Sequence, residues 1–372
     1  MHLLSTIAIA HAAAAALVRP AEWERQSHVL MAWPSAQNDA YQGAAHDLHR
    51  ATEDVSLIAE AVALFEPVTV LVTPDRAAAA KQRFSRNPTS IKVQPVEGYP
   101  KLDLWMRDMA PTFVLDTNGS AKTLVGVDYN FNGWGGKYPV GQGLSLAAIS
   151  LAGMGVPRAC TALVAEGGSL EVDGEGTLLL TESSVLNANR NPGLGRAEVE
   201  AELRRTLGVR KILWVPGRRG LEVTDGHIDG IARFVAPGHV LLSRPSALDG
   251  SVWTAIYKEA YDVLHNATDA TGRQLQITEI VEADMNAVGL SKKELDAINA
   301  GREDSPALTY VNYLLVNGGV IFPQFGDDKA DAAALSIIRG LYKDRDVETV
   351  LARELPSLGG GIHCSTQEVP SV

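Results

Sequence analysis

Tyr310-Val311-Asn312-Tyr313-Leu314-Leu315-Val316-Asn317-Gly318-Gly319-Val320-Ile321-Phe322 is two apolar runs joined by an Asn-Gly turn. Asn-Gly between apolar runs is a strong hairpin signal, because the tight turn needs φ > 0 at its centre. Beyond it, residues 327–342 carry apolar side chains at three- and four-residue spacing, and residues 346–351 read as a short strand. The same unit recurs upstream. Residues 110–115 and 123–127 flank Asn118-Gly119, residues 169–172 and 177–180 flank Asp173-Gly174, and residues 231–235 and 240–242 flank Pro237-Gly238. Helical patterns over 196–207 and 252–264 follow, each leading into a strand, at 211–215 and 274–277. The first hundred residues hold a looser copy, with strands predicted at 28–33, 68–72 and 91–96. About five ββαβ units closing radially around a channel predict an α/β propeller of five pseudo-symmetric blades.

Ionisable residues fall at matching places in these units. Asp108 lies 11 residues before Gly119 and His227 lies 11 before Gly238; Asp229 lies 9 before that glycine, and Glu166 lies 8 before Gly174. In a ring of equivalent blades such positions face one end of the channel, so the four groups are expected to converge. Taken singly, Glu166 before two glycines also fits a turn residue, and His227 a core histidine. His227 and Asp229, two apart, are expected on one face of a strand. A fifth group comes from Gly359-Gly360-Gly361-Ile362-His363-Cys364, where glycines let backbone approach other groups closely and present one thiol. His363 is expected to face away from that thiol and to be structural.

The 372 residues are 46 % hydrophobic and 21 % charged, an ordinary globular balance, with a net charge of −11. That charge argues against nucleic acid, which needs clustered Lys and Arg, and suits a small cationic ligand. The only other cysteine is Cys160, to which the sequence assigns no role, so no disulfide framework is expected. Residues 3–18 are almost wholly apolar, with five alanines from Ala12 to Ala16. This is shorter than the roughly 20 residues of a transmembrane helix. It resembles a secretory leader without a basic start. Residues 1–18 are therefore expected to be a signal peptide or an extension, and 19–372 a single catalytic domain. Secretion is favoured over a cytoplasmic location, and no membrane partner is expected. The sequence leaves room for a homo-oligomer without fixing a copy number.

One thiol, one imidazole and three carboxylates admit few chemistries. A metal site fits poorly, since there is one plausible Cys, one plausible His and no CxxC. A cysteine protease shares the thiol and histidine, but three carboxylates would raise the thiol pKa. A guanidinium substrate removes that objection. It is planar, permanently charged and matched to carboxylates. Asp108 and Asp229 would grip it, and its charge would favour the thiolate of Cys364. Cys364 would then attack the central carbon, His227 would act as general acid and base, and Glu166 would hold His227.

Motifs along nearly the whole chain resemble the agmatine deiminase family, which also contains the bacterial-type peptidyl-arginine deiminases. They are Pro20-Ala21-Glu22-Trp23-Glu24, Trp105-Met106-Arg107-Asp108, Asn130-Phe131-Asn132-Gly133-Trp134-Gly135-Gly136-Lys137, Glu166-Gly167-Gly168-Ser169, residues 186–192, Gly226-His227-Ile228-Asp229, Asn317-Gly318-Gly319 and residues 359–367. The resemblance implies the pentein fold and a hydrolase with neither cofactor nor metal. It places the nucleophile on Cys364, the general acid/base on His227, guanidinium-binding carboxylates on Asp108 and Asp229, and the family's glutamate on Glu166. Trp105 is placed along the substrate's methylene chain, although core packing fits it as well. The implied activity converts agmatine to N-carbamoylputrescine and ammonia, a step of putrescine biosynthesis. The alternatives are a citrulline-forming deiminase of free arginine or an arginyl peptide, an amidinotransferase, and a guanidine-binding propeller without activity. One departure bears on specificity. Family members acting on agmatine carry acids just before the Gly-His pair, whereas this chain has Leu221-Glu222-Val223-Thr224-Asp225, leaving Glu222 or Asp225 to substitute.

Overall fold

The glycines of three hairpin turns, Gly174, Gly238 and Gly318, take φ of 71°, 76° and 77°, the left-handed region that glycine enters freely. Each turn joins two antiparallel strands of a separate sheet, and a third strand is added in parallel. A computed structural model describes residues 17–41, 47–140, 145–299 and 305–372. Within them the strands form five sheets, the five blades of an α/β propeller. The second blade pairs Thr112–Asp116 with Thr123–Asp128 and adds Arg158–Cys160. The third pairs Glu171–Val172 with Thr177–Thr181 and adds Lys211–Val215. The fourth joins Ala232–Ala236, His239–Arg244 and Gln276–Val281; the fifth joins Leu314–Val316, Gly319–Gln324 and Asp346–Leu351.

Parallel strands need long crossovers. Helices Leu146–Met154, Arg196–Leu207, Val252–His265 and Asp328–Leu341 supply them. Their starts are chemically marked: Ser145, Ser251 and Asp327 accept hydrogen bonds from the backbone N–H groups of Ala148, Thr254 and Ala330. Gly155 and Gly208 close two of them in the left-handed conformation.

The first blade differs from its sequence reading. Gln26–Ala32, Val68–Val72 and Ile91–Pro95 are all parallel, and the antiparallel partner of Gln26–Ala32 is Gln367–Pro370, from the other end of the chain. The ring is thus closed by a strand that no local pattern announces. Leu17 and Val18 also belong to the folded part, paired with Asp116 and Leu115 at the edge of the second blade. Two residues of the proposed leader therefore pair within the fold, and the rest of it lies outside the described residues. Among the described residues no helix is long and apolar enough to cross a membrane.

Two predicted strands are shorter than the pattern suggested. Residues 310–313 are not strand, and residues 167–169 form a 3-10 turn. In both places the chain leaves the sheet and bonds to other elements, Asn312 to Cys364 and the Gly168 N–H to Asp108.

Candidate active site

Each group of the site stands where a blade's strand gives way to a tight turn. Asp108 lies in a four-residue helix, Met106–Met109. Glu166 immediately precedes the turn Gly167–Ser169. His227 and Asp229 flank Ile228 at a second 3-10 turn, Ile228–Gly230, rather than in the expected strand. That turn still carries both toward one point. Glycines permit the approach: a Cβ on Gly167 would lie 2.1 Å from the Arg107 carbonyl oxygen, and one on Gly360 would lie 2.4 Å from the Trp105 ring.

The five predicted groups converge. Asp229 Oδ2 is 3.6 Å from Cys364 Sγ. His227 Nδ1 is 3.7 Å from Asp108 Oδ1, and His227 Nε2 is 3.4 Å from Glu166 Oε2. A Cβ built on Gly168 would lie 2.6 Å from His227 Nδ1, 3.0 Å from Asp229 Oδ2 and 3.1 Å from Asp108 Oδ1. The bare α-carbon of Gly168 thus faces all three. The thiol is partly exposed, while His227, Asp108, Asp229 and Glu166 are buried. Trp105 is buried with its ring against Gly360, one turn from the thiol.

Burial and charge set the protonation pattern. Burial alone would lower the His227 pKa, but Asp108 and Glu166 outweigh it and bring the imidazolium up to about 9. Nε2 faces Glu166, whereas buried Nδ1 has no hydrogen-bond partner. Glu166 would be pushed up by burial, yet His227 and then Arg190 hold it below the ordinary carboxylate range. Asp108 is raised by burial, with the charges of Asp229 and Glu166 adding to it. Burial first, then Asp229 and Asp108, drive the Cys364 thiol well above its ordinary range. Without a cation between those acids the sulfur stays protonated.

Several partners of these groups were not singled out by sequence reasoning. Trp134, at φ 54°, donates its indole N–H to Asp108 Oδ2 at 2.8 Å, and Gly168 N–H donates to Asp108 Oδ1 at 3.1 Å. Asn312 donates from Nδ2 to Cys364 Sγ at 3.2 Å and accepts from the Cys364 N–H at 3.3 Å. Arg190 donates to Glu166 Oε1 at 3.0 Å and also contacts Asp225. An Asn inside an apolar strand pattern was the available signal for Asn312, while Trp134 and Arg190 lie within motifs already quoted, without a role of their own there. His363 does not face away as expected. The chain turns after Gly361, and His363 Nδ1 comes 2.7 Å from Asp229 Oδ2, with Nε2 2.9 Å from Glu22 Oε2.

Glu222 and Asp225 are both already engaged, Glu222 within its own loop and Asp225 largely by side chains from outside it. Glu222 accepts from Thr224 N–H and Thr224 Oγ1 and contacts Gly226 N–H. Asp225 takes Gly220 N–H at 2.6 Å, Asn189 Nδ2 at 3.1 Å, Lys137 Nζ at 2.9 Å and Arg190. These partners outweigh burial and hold Asp225 down to about 2.

Known proteins resemble this chain along nearly its whole length. Curated relatives include an agmatine deiminase of Pseudomonas fluorescens, 36 % identical over 365 residues, and one of Stutzerimonas stutzeri, 38 % identical over 363 residues, each alignment covering 95 % of both chains. The solved agmatine deiminase of Enterococcus faecalis superposes with a TM-score of 0.82 at 32 % identity, over 95 % of this chain and 96 % of that one. The profile of the Porphyromonas-type peptidyl-arginine deiminases matches residues 18–370, nearly the whole described fold, and the chain belongs to that family.

Proposed function

We propose that this protein hydrolyses the guanidinium group of agmatine, giving N-carbamoylputrescine and ammonia through a covalent intermediate on Cys364. The observation that carries the reading is the meeting of Asp108, Asp229 and His227 around Gly168, with Cys364 Sγ 3.6 Å from Asp229. A planar cation lying there has a carboxylate on either side and sulfur at its middle atom. Its charge offsets the two acids that keep the thiol protonated, so binding itself favours the thiolate.

The thiolate adds to the guanidinium carbon, and the C–N bond to the leaving nitrogen breaks. His227, protonated at neutral pH, supplies a proton to that nitrogen from Nδ1, the ring atom without another partner. Ammonia departs and leaves an amidino-thioether on Cys364. The now neutral His227 takes a proton from water, oxygen adds to the same carbon, the adduct's remaining hydroxyl proton passes to solvent or the departed ammonia as the C–S bond breaks, and the ureido product leaves with the thiolate restored. Glu166 holds the opposite ring nitrogen throughout, itself held by Arg190. Trp105, whose ring packs against Gly360 beside Cys364, is the apolar surface we assign to the substrate's methylene chain, although its burial fits core packing as well.

A citrulline-forming reaction on arginine or an arginyl peptide is the second reading. It is favoured by the engagement of Glu222 and Asp225, which leaves no free carboxylate in that loop for a far amine. Ammonia release from agmatine, free arginine and a C-terminal arginyl peptide, assayed side by side before and after exhaustive chelation, decides between them. Turnover of agmatine alone, unaffected by chelation, is expected. Preference for either arginine compound would move the assignment to the second reading, and retention of activity by Cys364→Ala would sink both. For the apolar residues 3–16, ahead of the Leu17–Val18 pair that the fold uses, we propose export, which N-terminal sequencing of protein recovered from the culture medium tests.

A further inference from the structure

Beneath the five site groups lies a second tier of buried charge. Glu22, from the Pro20-Ala21-Glu22-Trp23-Glu24 motif, has Oε2 2.9 Å from His363 Nε2, 2.9 Å from Arg233 Nη2 and 3.6 Å from Arg107 Nη2. Its other oxygen accepts the Leu315 N–H at 2.7 Å. Arg107 and Arg233 are wholly buried, and each reaches a further carboxylate, Glu368 and Glu171 respectively. His363 links this tier to the site's carboxylates, through Asp229 Oδ2 at 2.7 Å, while the Arg107 backbone N–H reaches the Cys364 carbonyl at 3.1 Å.

That link has a definite polarity. Burial would push both Glu22 and Asp229 up, but His363 and the arginines hold both below the ordinary carboxylate range. Both are therefore acceptors, and each lies within hydrogen-bonding distance of one His363 ring nitrogen. The oxygen that it holds on Asp229 is also the one nearest Cys364 Sγ. A carboxylate so close to the sulfur, if free to rotate, would neither present a fixed face to a planar cation nor keep its distance from the thiol.

We propose that His363 and Glu22 are positioning residues of the guanidine site: Glu22 holds the His363 ring, and His363 fixes the Asp229 carboxylate that receives the substrate cation. This rests on the deiminase reading above. A hydrogen bond made to a charged group sets the scale, about 10- to 100-fold in binding when it is lost.

The test compares His363→Leu, His363→Asn, Glu22→Gln and the His363→Asn/Glu22→Gln double variant, reading KM and kcat for agmatine beside thermal unfolding. Asn places an amide N–H where imidazole Nδ1 stood, but cannot reach Glu22. His363→Leu is expected to raise KM about 10- to 100-fold, with kcat falling less. His363→Asn is expected to restore most of that KM. Glu22→Gln is expected to raise KM severalfold in the wild-type background and to add nothing in the His363→Asn background, where the link is already cut. A folded His363→Leu variant with unchanged KM, or no rescue by Asn, overturns the proposal. So does a Glu22→Gln effect of equal size in both backgrounds, and this arm decides the matter if His363→Leu does not fold. Should the wild type release ammonia from no guanidine at all, the deiminase reading fails instead, and that outcome is visible before any variant is made.

Discussion

Gly168→Ala adds one methyl group at the point where the site is most crowded. The glycine has no positive φ, so alanine meets no backbone objection there. Its methyl, however, would stand 2.6 Å from His227 Nδ1, 3.0 Å from Asp229 Oδ2 and 3.1 Å from Asp108 Oδ1. To reach ordinary contact the imidazole must retreat from 2.6 Å to about 3.4 Å, against its hold on Glu166. Overpacking of this kind costs about 1–3 kcal/mol of stability, a shift of a few degrees in the unfolding temperature. The catalytic cost is larger, because a misplacement near 1 Å removes about 100-fold in rate, and the methyl also fills the space where a guanidinium would lie. We expect kcat/KM for ammonia release to fall by about 100-fold or more, with far-UV circular dichroism unchanged. Gly340→Ala, in a helix with no atom within 4 Å of the added carbon, is the matched control and should be fully active. If Gly168→Ala keeps kcat/KM within about threefold of wild type, the three groups do not form the binding site and the proposed mechanism is wrong.

Truncation after Thr366 removes the strand that completes the first blade and the Glu368 partner of Arg107, and should give a chain without cooperative thermal unfolding. Glu66 is buried with one carboxylate oxygen unpartnered, and burial raises its pKa to about 7. The folded state then holds a proton that the unfolded chain releases near pH 4.5, so this group subtracts stability as pH rises through that window, fully above about 7. Glu66→Gln should therefore raise stability by about 1–3 kcal/mol at pH 8 and by almost nothing at pH 4, in denaturant titrations; a gain at pH 4 as large as that at pH 8 refutes the assignment. In the unliganded protein neutral iodoacetamide should modify exposed Cys160 well before Cys364 at neutral pH, because burial and Asp229 disfavour the Cys364 thiolate. Peptide mass spectrometry showing equal rates would contradict that account of the thiol.

The repeat was legible because it is written in short-range chemistry. Hairpin glycines, helix caps and apolar spacing act over a few residues, so helix Arg196–Leu207 and strands Lys211–Val215 and Asp346–Leu351 appear where the pattern puts them. Four of the five converging groups were readable for the same reason, each sitting a few residues before a local turn, with equivalent turns in a ring facing one way; Cys364 was marked instead by the glycine run that precedes it. Tertiary structure alone decided what holds them. Gln367–Pro370 closes the first blade only because the ring brings the chain's two ends together. Glu22 and His363 meet across 341 residues of sequence, and Asn312 reaches a sulfur 52 residues away. The direction in which a buried acid or thiol titrates depends on such distant partners and on the water that they exclude, and neither leaves a mark in the local sequence.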